Sequence, residues 1–213
     1  MTKPDEKKVI FVCTGNTCRS PMAEAIFRSE AKRRGLQVQV GSAGTEAAVG
    51  KGINLYSLRT LAAHGLAVEN FTATQLTAQQ AAEAFAVVCM TEPQKRQVAS
   101  LVAHLPSKEN AQSQNVYAFS DFCGYSIPDP YGGSMEVYDC TFQALEGGMS
   151  AVIEGLFPAE PLKAEAKLPE RTSGKSPAQK KKSPPKKPTS ACKKTTNKSG
   201  AKKPTVKKEN EEK

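Results

Sequence analysis

Residues 9–25 read VIFVCTGNTCRSPMAEA, and this stretch decides the fold. It opens with β-branched and aromatic residues, which predict a buried strand that runs into a tight loop. Ser20 and Pro21 are typical of a helix start, with serine as the N-cap and proline at the first helical position. An apolar face with helical spacing continues from there to Gly35. The stretch therefore predicts a strand, a loop and a helix in direct succession.

The alternation of strand and helix patterns continues along the chain. Apolar runs predict further strands at residues 37–41, 86–90 and 116–119. Helical patterns cover residues 56–64, 77–83 and 135–156, and another helix follows the capping sequence Thr91-Glu92-Pro93. That helix is expected to turn Val98, Leu101 and Val102 inward. Strands that alternate with helices imply βαβ units, so we expect the α/β fold class, a parallel sheet with helices on both faces.

The charge of the chain is concentrated in its C-terminal quarter. The 213 residues include 30 lysine or arginine and 21 aspartate or glutamate residues, of which 17 and 6 lie in residues 159–213. That segment is dominated by Lys, Pro, Ala, Ser and Thr, which predicts a disordered basic tail after a folded domain at residues 1–158. Its composition resembles histone-H1-like tails, so we expect non-specific contact with polyanions such as nucleic acids. It lacks interleaved aromatic residues, so this contact should be independent of base sequence.

The sequence also bears on the compartment. No apolar run approaches the roughly 20 residues that a membrane-spanning helix needs, and the run at residues 9–12 is too short for a signal-peptide core. The six cysteines show no repeated spacing. These features favour a cytoplasmic protein without membrane contact, whose cysteines act as individual thiols rather than as a disulfide framework.

The predicted loop joins a cysteine to an arginine. Cys13 and Arg19 are separated by five residues, between the end of a strand and the start of a helix. A loop this tight turns successive backbone N–H groups inward, and the following helix adds free N–H groups and the positive end of its dipole. Arg19 can bind two oxygens of a phosphate with its guanidinium fork. The same field stabilises the Cys13 thiolate, a nucleophile placed for attack on phosphorus.

Other residues of the loop have supporting roles in this interpretation. The Ser20 hydroxyl can donate to the Cys13 sulfur, and Asn16 tolerates a left-handed backbone and can brace the loop. The residues expected to contact the bound group are Thr14, Gly15, Asn16, Thr17, Cys18 and Ser20 from this loop and Tyr131 from a later one. A Walker phosphate loop would end in Gly-Lys-Ser/Thr, and Arg19-Ser20 does not meet that pattern.

A thiol phosphatase also needs a proton donor for the leaving group. Residues 127–133 read IPDPYGG, which places Asp129 between two prolines in a stiffened loop. In isolation such an aspartate would be read as a turn residue without a chemical role. Beside a nucleophile at Cys13, it becomes the candidate general acid.

These segments together resemble one known family. Residues 12–25, Ser42-Ala43-Gly44-Thr45 and Asp129-Pro130-Tyr131 closely resemble the low-molecular-weight protein tyrosine phosphatases, and the resemblance runs from about Val9 to Leu156. It implies a small Rossmann-like domain with a four-stranded parallel sheet. It also implies phosphorylated protein substrates, a phosphocysteine intermediate at Cys13, and Asp129 as acid and then as base for the attacking water. No metal or organic cofactor is implied.

Two positions distinguish this chain within the resemblance. Thr17 stands where tyrosine phosphatases commonly carry isoleucine, and threonine there resembles the protein-arginine-phosphatase branch, as does Gly132-Gly133-Ser134. We therefore expect phosphoarginine as the substrate, with phosphotyrosine as the close second. Asn70-Phe71 stands where family members often carry a histidine that braces the phosphate loop through asparagine. That brace is expected to be absent or replaced. In the family, a pair such as Cys13 and Cys18 can form a protective disulfide.

Two other function classes stay open at this point. Thioredoxin-linked arsenate reductases share the fold and a similar loop, but they need two further cysteines after the third strand, and Cys89 has no close partner before Cys123. A non-catalytic anion-binding module is the other alternative. The joint presence of Cys13, Arg19 and Asp129 favours an enzyme over that module.

Overall fold

The chain forms a four-stranded parallel sheet in the order β2-β1-β3-β4. The structure, a computed structural model, describes residues 7–105 and 115–158, so the predicted tail lies outside the described residues. The strands are β1 Lys8–Cys13, β2 Gln39–Gly44, β3 Ala86–Cys89 and β4 Val116–Ala118. All three strand pairs are parallel. The predicted α/β class and the four-stranded parallel sheet are confirmed.

Helices cover both faces of this sheet. They are α1 Arg19–Arg33, α2 Leu55–Ala63, α3 Ala78–Glu83, α4 Glu92–Ala103, α5 Phe119–Cys123 and α6 Met135–Leu156. Helices α1, α2, α5 and α6 contact one another on one face, and α3 and α4 pack together on the other. Among the residues that the structure describes, no helix is long and apolar enough to cross a membrane.

The central strand β1 is buried on both faces, which explains its continuous apolar sequence. Phe11 faces the larger core cluster, with Phe27 and Phe142. Ile10 and Val12 face the smaller cluster beneath α3 and α4. Because successive side chains of a strand point to opposite faces, one short run supplies both cores.

The structure corrects several local predictions. Helix α1 begins at Arg19, so Cys18 occupies the N-cap position and Ser20 lies inside the first turn. The Ser20 hydroxyl is 3.0 Å from the Cys13 sulfur, a contact that replaces the predicted capping role. Strand β2 begins and ends later than predicted. Phe119, predicted in the fourth strand, starts the unpredicted helix α5.

Leu101 was expected inside and is 38% exposed. Helix α4 buries a narrow stripe made of Gln94, Val98 and Val102, which are spaced four residues apart. Leu101 falls beside that stripe, because α4 covers only the smaller core cluster and its flank faces solvent. The predictions for Val98 and Val102 are confirmed, and the predicted last helix, 135–156, matches α6.

Candidate active site

The loop between β1 and α1 lies at the carboxyl end of the central strand. Cys13 is the last residue of β1, and Arg19 is the first of α1. Strand β1 is flanked by β2 on one side and β3 on the other, so the chain reverses its winding direction here. Ligands of open α/β sheets bind at such switch points, beyond the carboxyl ends of the strands.

The carbonyl groups of this loop are bound by one neighbouring segment, residues 45–54. The N–H groups of Thr45, Glu46, Ala48 and Asn54 donate to the carbonyl oxygens of Cys13, Thr14, Gly15 and Thr17 at 2.9, 2.9, 3.1 and 2.8 Å. Within the described part of the chain, the N–H groups of residues 15–18 have no acceptor. Asn16 has a φ of 54°, the left-handed conformation that reverses the loop. A loop with tied carbonyls and unused N–H groups is suited to bind an anion.

The side chain of Asn16 connects the loop to its surroundings. Its amide nitrogen donates to the hydroxyls of Ser20, at 2.9 Å, and Ser42, at 3.0 Å. Its amide oxygen accepts from the backbone N–H of Thr74, at 2.8 Å. Because Ser20 already accepts from Asn16, its own proton is available for the Cys13 sulfur. The histidine brace was expected to be absent or replaced. Here the backbone N–H of Thr74 is the donor that holds Asn16.

A buried glutamate extends this network. The Ser42 hydroxyl donates to Glu24 Oε2 at 2.6 Å, and Arg28 pairs with the other carboxylate oxygen. A carboxylate only accepts hydrogen bonds, so Glu24 fixes the direction of the Ser42 hydroxyl. The sequence analysis did not single out Glu24. Its signal was a lone acidic residue within the otherwise apolar run at 21–27.

Arg19 and Asp129 meet across the site. Arg19 is only 4% exposed, and its Nη2 atom lies 2.6 Å from Asp129 Oδ2, with Nη1 3.5 Å from the carbonyl of Ile127. Its Nε atom is buried without an acceptor among the described residues. Asp129 Oδ1 accepts from the backbone N–H of Tyr131, at 3.2 Å. The candidate acid is therefore held directly beside the candidate anion clamp.

Cys18 and its neighbours line the other side of the loop. The Cys18 sulfur is 3.5 Å from the Tyr138 hydroxyl and 3.6 Å from Thr17 Oγ1. Burial raises the pKa of Tyr138 above its ordinary value, and the adjacent Cys18 and the nearby Asp129 act in the same direction. Both Cys13 and Cys18 are free thiols. Tyr138, which the sequence analysis missed, offers no local signal because it lies on the distant helix α6.

Cys89, the cysteine of the third strand, does not have the properties of a redox-active thiol. Cys89 is fully buried in β3, and burial raises its pKa to about 12. A thiol that stays protonated is a poor nucleophile, which disfavours the arsenate reductase alternative. Among residues 7–105 and 115–158, no group of three His, Cys, Asp or Glu side chains is placed to hold a metal ion.

The predicted site residues thus come together in one place. Cys13, Arg19, Ser20 and Asp129 lie within hydrogen-bond reach of at least one other member of the set. Tyr131 lies at the rim with 75% of its surface exposed. The arrangement brings the candidate nucleophile, the candidate anion clamp and the candidate acid to the same loop.

Comparison with known proteins gives a consistent result. The profile of the family described as low molecular weight phosphotyrosine protein phosphatase matches residues 8–167. The chain is 37% identical over 141 residues to the protein-arginine-phosphatase of Bacillus subtilis, covering 65% of this chain and 89% of that protein. It is 34% identical over 140 residues to the low molecular weight protein-tyrosine-phosphatase Wzb of Salmonella typhi, covering 65% and 87%.

A solved structure supports the same grouping. The fold is similar to that of a YwlE arginine phosphatase mutant with a phosphorylated active-site serine, with a TM-score of 0.63 and 33% identity. The similarity covers 71% of this chain and 96% of that one.

Proposed function

Because the chain belongs to the low molecular weight phosphotyrosine protein phosphatase family of cysteine-dependent phosphatases, we propose that it hydrolyses phosphoarginine in protein substrates. The observation that carries this choice of substrate is Thr17, midway along the phosphate loop between Cys13 and Arg19. A relative named as a protein-arginine-phosphatase supports it.

In the proposed reaction Cys13 is the nucleophile. Its thiolate attacks phosphorus, an S–P bond forms, and the P–N bond of phosphoarginine breaks. The unused N–H groups of residues 15–18 and the guanidinium of Arg19 hold the phosphoryl oxygens. A phosphorylated serine in the active site of the YwlE mutant supports a covalent phosphoenzyme here. The Ser20 hydroxyl, 3.0 Å from the sulfur, stabilises the thiolate before attack and when it leaves again.

Asp129 supplies and then removes a proton. The bound phosphoryl group competes with Asp129 for the donors of Arg19, which frees the carboxylate to take up a proton from solvent. The carboxyl then protonates the departing nitrogen of the guanidino group. In the second step the carboxylate takes a proton from water as the water oxygen attacks phosphorus. The S–P bond breaks, inorganic phosphate leaves and Cys13 returns to the thiolate.

The choice between phosphoarginine and phosphotyrosine rests on the wall of the pocket. A phenyl ring gains from apolar bulk beside it, whereas a planar guanidinium gains from hydrogen-bond acceptors. Thr17 is small and carries a hydroxyl, and the Asp129 carboxylate is held at the end of the same loop by its contact with Arg19. The exposed ring of Tyr131 is compatible with either substrate.

The test is a direct comparison of two peptides that share one sequence and carry either phosphoarginine or phosphotyrosine. We expect wild type to show the higher kcat/KM on phosphoarginine. Thr17→Ile should move the ratio of kcat/KM values toward phosphotyrosine by roughly 10–200-fold, the usual value of a methylene-sized change in a pocket. Thr17→Val removes the hydroxyl and adds little bulk, so it separates the effect of the lost hydroxyl from the effect of the added apolar bulk. A wild type that prefers phosphotyrosine would make this an ordinary tyrosine phosphatase.

We further propose that the folded domain ends near residue 158 and that residues 159–213 attract polyanions. Residues 171–208 contain lysine and arginine but no aspartate or glutamate. Attraction of this kind releases counterions, so it weakens steeply with salt. The full chain should bind random-sequence duplex DNA at low salt, and its affinity for this DNA should fall as the salt concentration rises. Removal of residues 159–213 should abolish binding but preserve turnover and melting temperature.

A second truncation at residue 167, where the family profile ends, controls for loss of domain residues. DNA binding by both truncated chains would place the contact on the domain.

We also propose that the protein works in the cytoplasm, since its reaction needs Cys13 to persist as a free thiol.

A further inference from the structure

Helix α4 approaches the phosphate loop from the face of the sheet opposite α1. Gln94, in its first turn, is 6% exposed, and both ends of its amide are used. The Nε2 atom donates to Thr14 Oγ1 at 3.0 Å, and the Oε1 atom accepts from the backbone N–H of Thr91 at 3.1 Å. One buried side chain therefore caps α4 and contacts the residue that follows the nucleophile.

We propose that Gln94 is a positioning residue for the phosphate loop, acting on catalysis through Thr14. It touches no reacting atom. Threonine is branched at Cβ and stiff about χ1, so holding its hydroxyl at one point restricts the orientation of its backbone. That backbone directly follows Cys13 and immediately precedes the N–H groups of residues 15–18, which are proposed to hold the phosphoryl oxygens. This role rests on the proposed function, because it concerns the same loop.

Thr14 is held from two sides. Its carbonyl oxygen accepts from the N–H of Glu46 at 2.9 Å, and the preceding carbonyl, of Cys13, accepts from Thr45 at 2.9 Å. Those bonds tie the main chain to the segment after β2. The bond from Gln94 ties the side chain to α4, across the sheet from α1. With that second anchor removed, the residue can pivot about its carbonyl bond, and the anion donors lose their alignment.

The chain contains a matched control for the capping role. Gln80 holds the equivalent position in α3, and its Oε1 accepts from the N–H of Thr77 at 3.1 Å, the same distance as in α4. Its backbone N–H is in turn bonded to the Thr77 hydroxyl. Gln80 is exposed, and the hydrogen bond of its side chain stays within this capping box. A substitution there removes a cap of the same kind without reaching the phosphate loop.

The experiment compares Gln94→Met with Gln80→Met. Both should lower the melting temperature through the lost cap. Only Gln94→Met should lower kcat/KM on p-nitrophenyl phosphate, by roughly 10–100-fold, the scale of a misplacement of about 1 Å in a catalytic site. Only Gln94→Met should weaken competitive inhibition by inorganic phosphate.

A double-mutant cycle with Thr14→Val separates positioning from general destabilisation. If Gln94 acts through the Thr14 hydroxyl, Gln94→Met should have little further effect on kcat/KM in the Thr14→Val background, although its effect on melting temperature persists. Additive losses in kcat/KM, or phosphate inhibition of Gln94→Met equal to that of wild type, would overturn the proposal. A wild type without turnover would refute the proposed function instead. The Gln94 proposal would then be decided by calorimetric affinity for inorganic phosphate in the same variants.

Discussion

The phosphate loop and the loop that carries Asp129 build one site by different means. Residues 13–20 are mostly buried, their carbonyls are tied to residues 45–54, and their side chains share a network that ends at a buried glutamate. The Asp129 loop is largely exposed, and the Asp129 side chain is 51% accessible. The loop is fixed at Ile127, which is buried and donates its N–H to the Met90 carbonyl at 2.9 Å. The Asp129 side chain itself is lightly held, by one ion pair to Arg19 and one turn bond from the N–H of Tyr131.

This difference separates two tasks of the reaction. Binding a phosphoryl group requires many donors fixed in advance, which is why the phosphate loop has so many anchors. Proton transfer requires one group that can release its partner and approach a leaving atom, which a lightly held side chain permits. Damage to the anchors should therefore weaken both binding and turnover, whereas damage to Asp129 should act on turnover with little effect on phosphate binding.

The largest effect is expected at the nucleophile. Cys13→Ser should lower kcat by roughly 10⁶-fold, the scale seen when another covalent nucleophile is removed. The loop anchors do not involve the sulfur, so the variant should still bind inorganic phosphate in calorimetry. Cys123→Ser, at a half-buried thiol that donates to the carbonyl of Phe119, is the control and should keep wild-type turnover. Turnover of Cys13→Ser comparable with wild type would place the nucleophile elsewhere.

The acid should rank second. Asp129→Asn should lower kcat by roughly 10²–10⁴-fold, the usual contribution of a positioned general acid. The loss should be larger on phenyl phosphate than on p-nitrophenyl phosphate, whose leaving group departs without a proton. Inhibition by inorganic phosphate should stay close to wild type. Asp139→Asn, at an exposed carboxylate paired with His64, is the matched control. Equal losses on the two substrates would mean that Asp129 only shapes its loop.

A third prediction tests the anchors without touching the chemistry. A Cβ on Gly44 would lie 2.5 Å from the carbonyl oxygen of Thr14 and 2.9 Å from the Cα of Ala47, so Gly44→Ala must displace backbone. We expect kcat/KM to fall about 10²-fold and the free energy of unfolding to drop by about 1–3 kcal/mol. Gly41→Ala is the control, because it lies in the same strand and its added Cβ would have no atom within 4 Å. It should leave both kcat/KM and the free energy of unfolding close to wild type. Full activity in Gly44→Ala would show that the loop tolerates movement.

The two loops also differed in how far the sequence could predict them. All the chemistry of the phosphate loop lies in residues 13–20, and a strand before it with a helix after it is enough to set its shape. Asp129 was found through its two flanking prolines and through the family resemblance. Its contact with Arg19 joins positions 110 residues apart, a distance that no local pattern encodes.

What the sequence could not predict has a common physical cause. The donor from Thr74 to Asn16 is a backbone N–H, which any residue except proline would supply, so it leaves no signature in the sequence. The contact of the Ser20 hydroxyl with the Cys13 sulfur was predicted, but its bond from the Asn16 amide was not, and the predicted helix cap at Ser20 is absent because α1 begins at Arg19. The sequence analysis did not single out Gln94, because its contact with Thr14 depends on the spacing of α4 and β1 across the sheet.

The smallest effect is expected on the surface of the Asp129 loop. Tyr131 contributes to the position of Asp129 only through its backbone N–H, which alanine retains, and its ring is 75% exposed. Tyr131→Ala should therefore change the free energy of unfolding in urea by less than about 0.5 kcal/mol. It should leave kcat on p-nitrophenyl phosphate near wild type. The KM for a phosphopeptide should rise, by up to about tenfold or 1.4 kcal/mol, because the rim loses apolar area. A large loss of kcat would mean that the ring itself holds Asp129, and the contrast between a firmly anchored phosphate loop and a lightly held Asp129 side chain would fail.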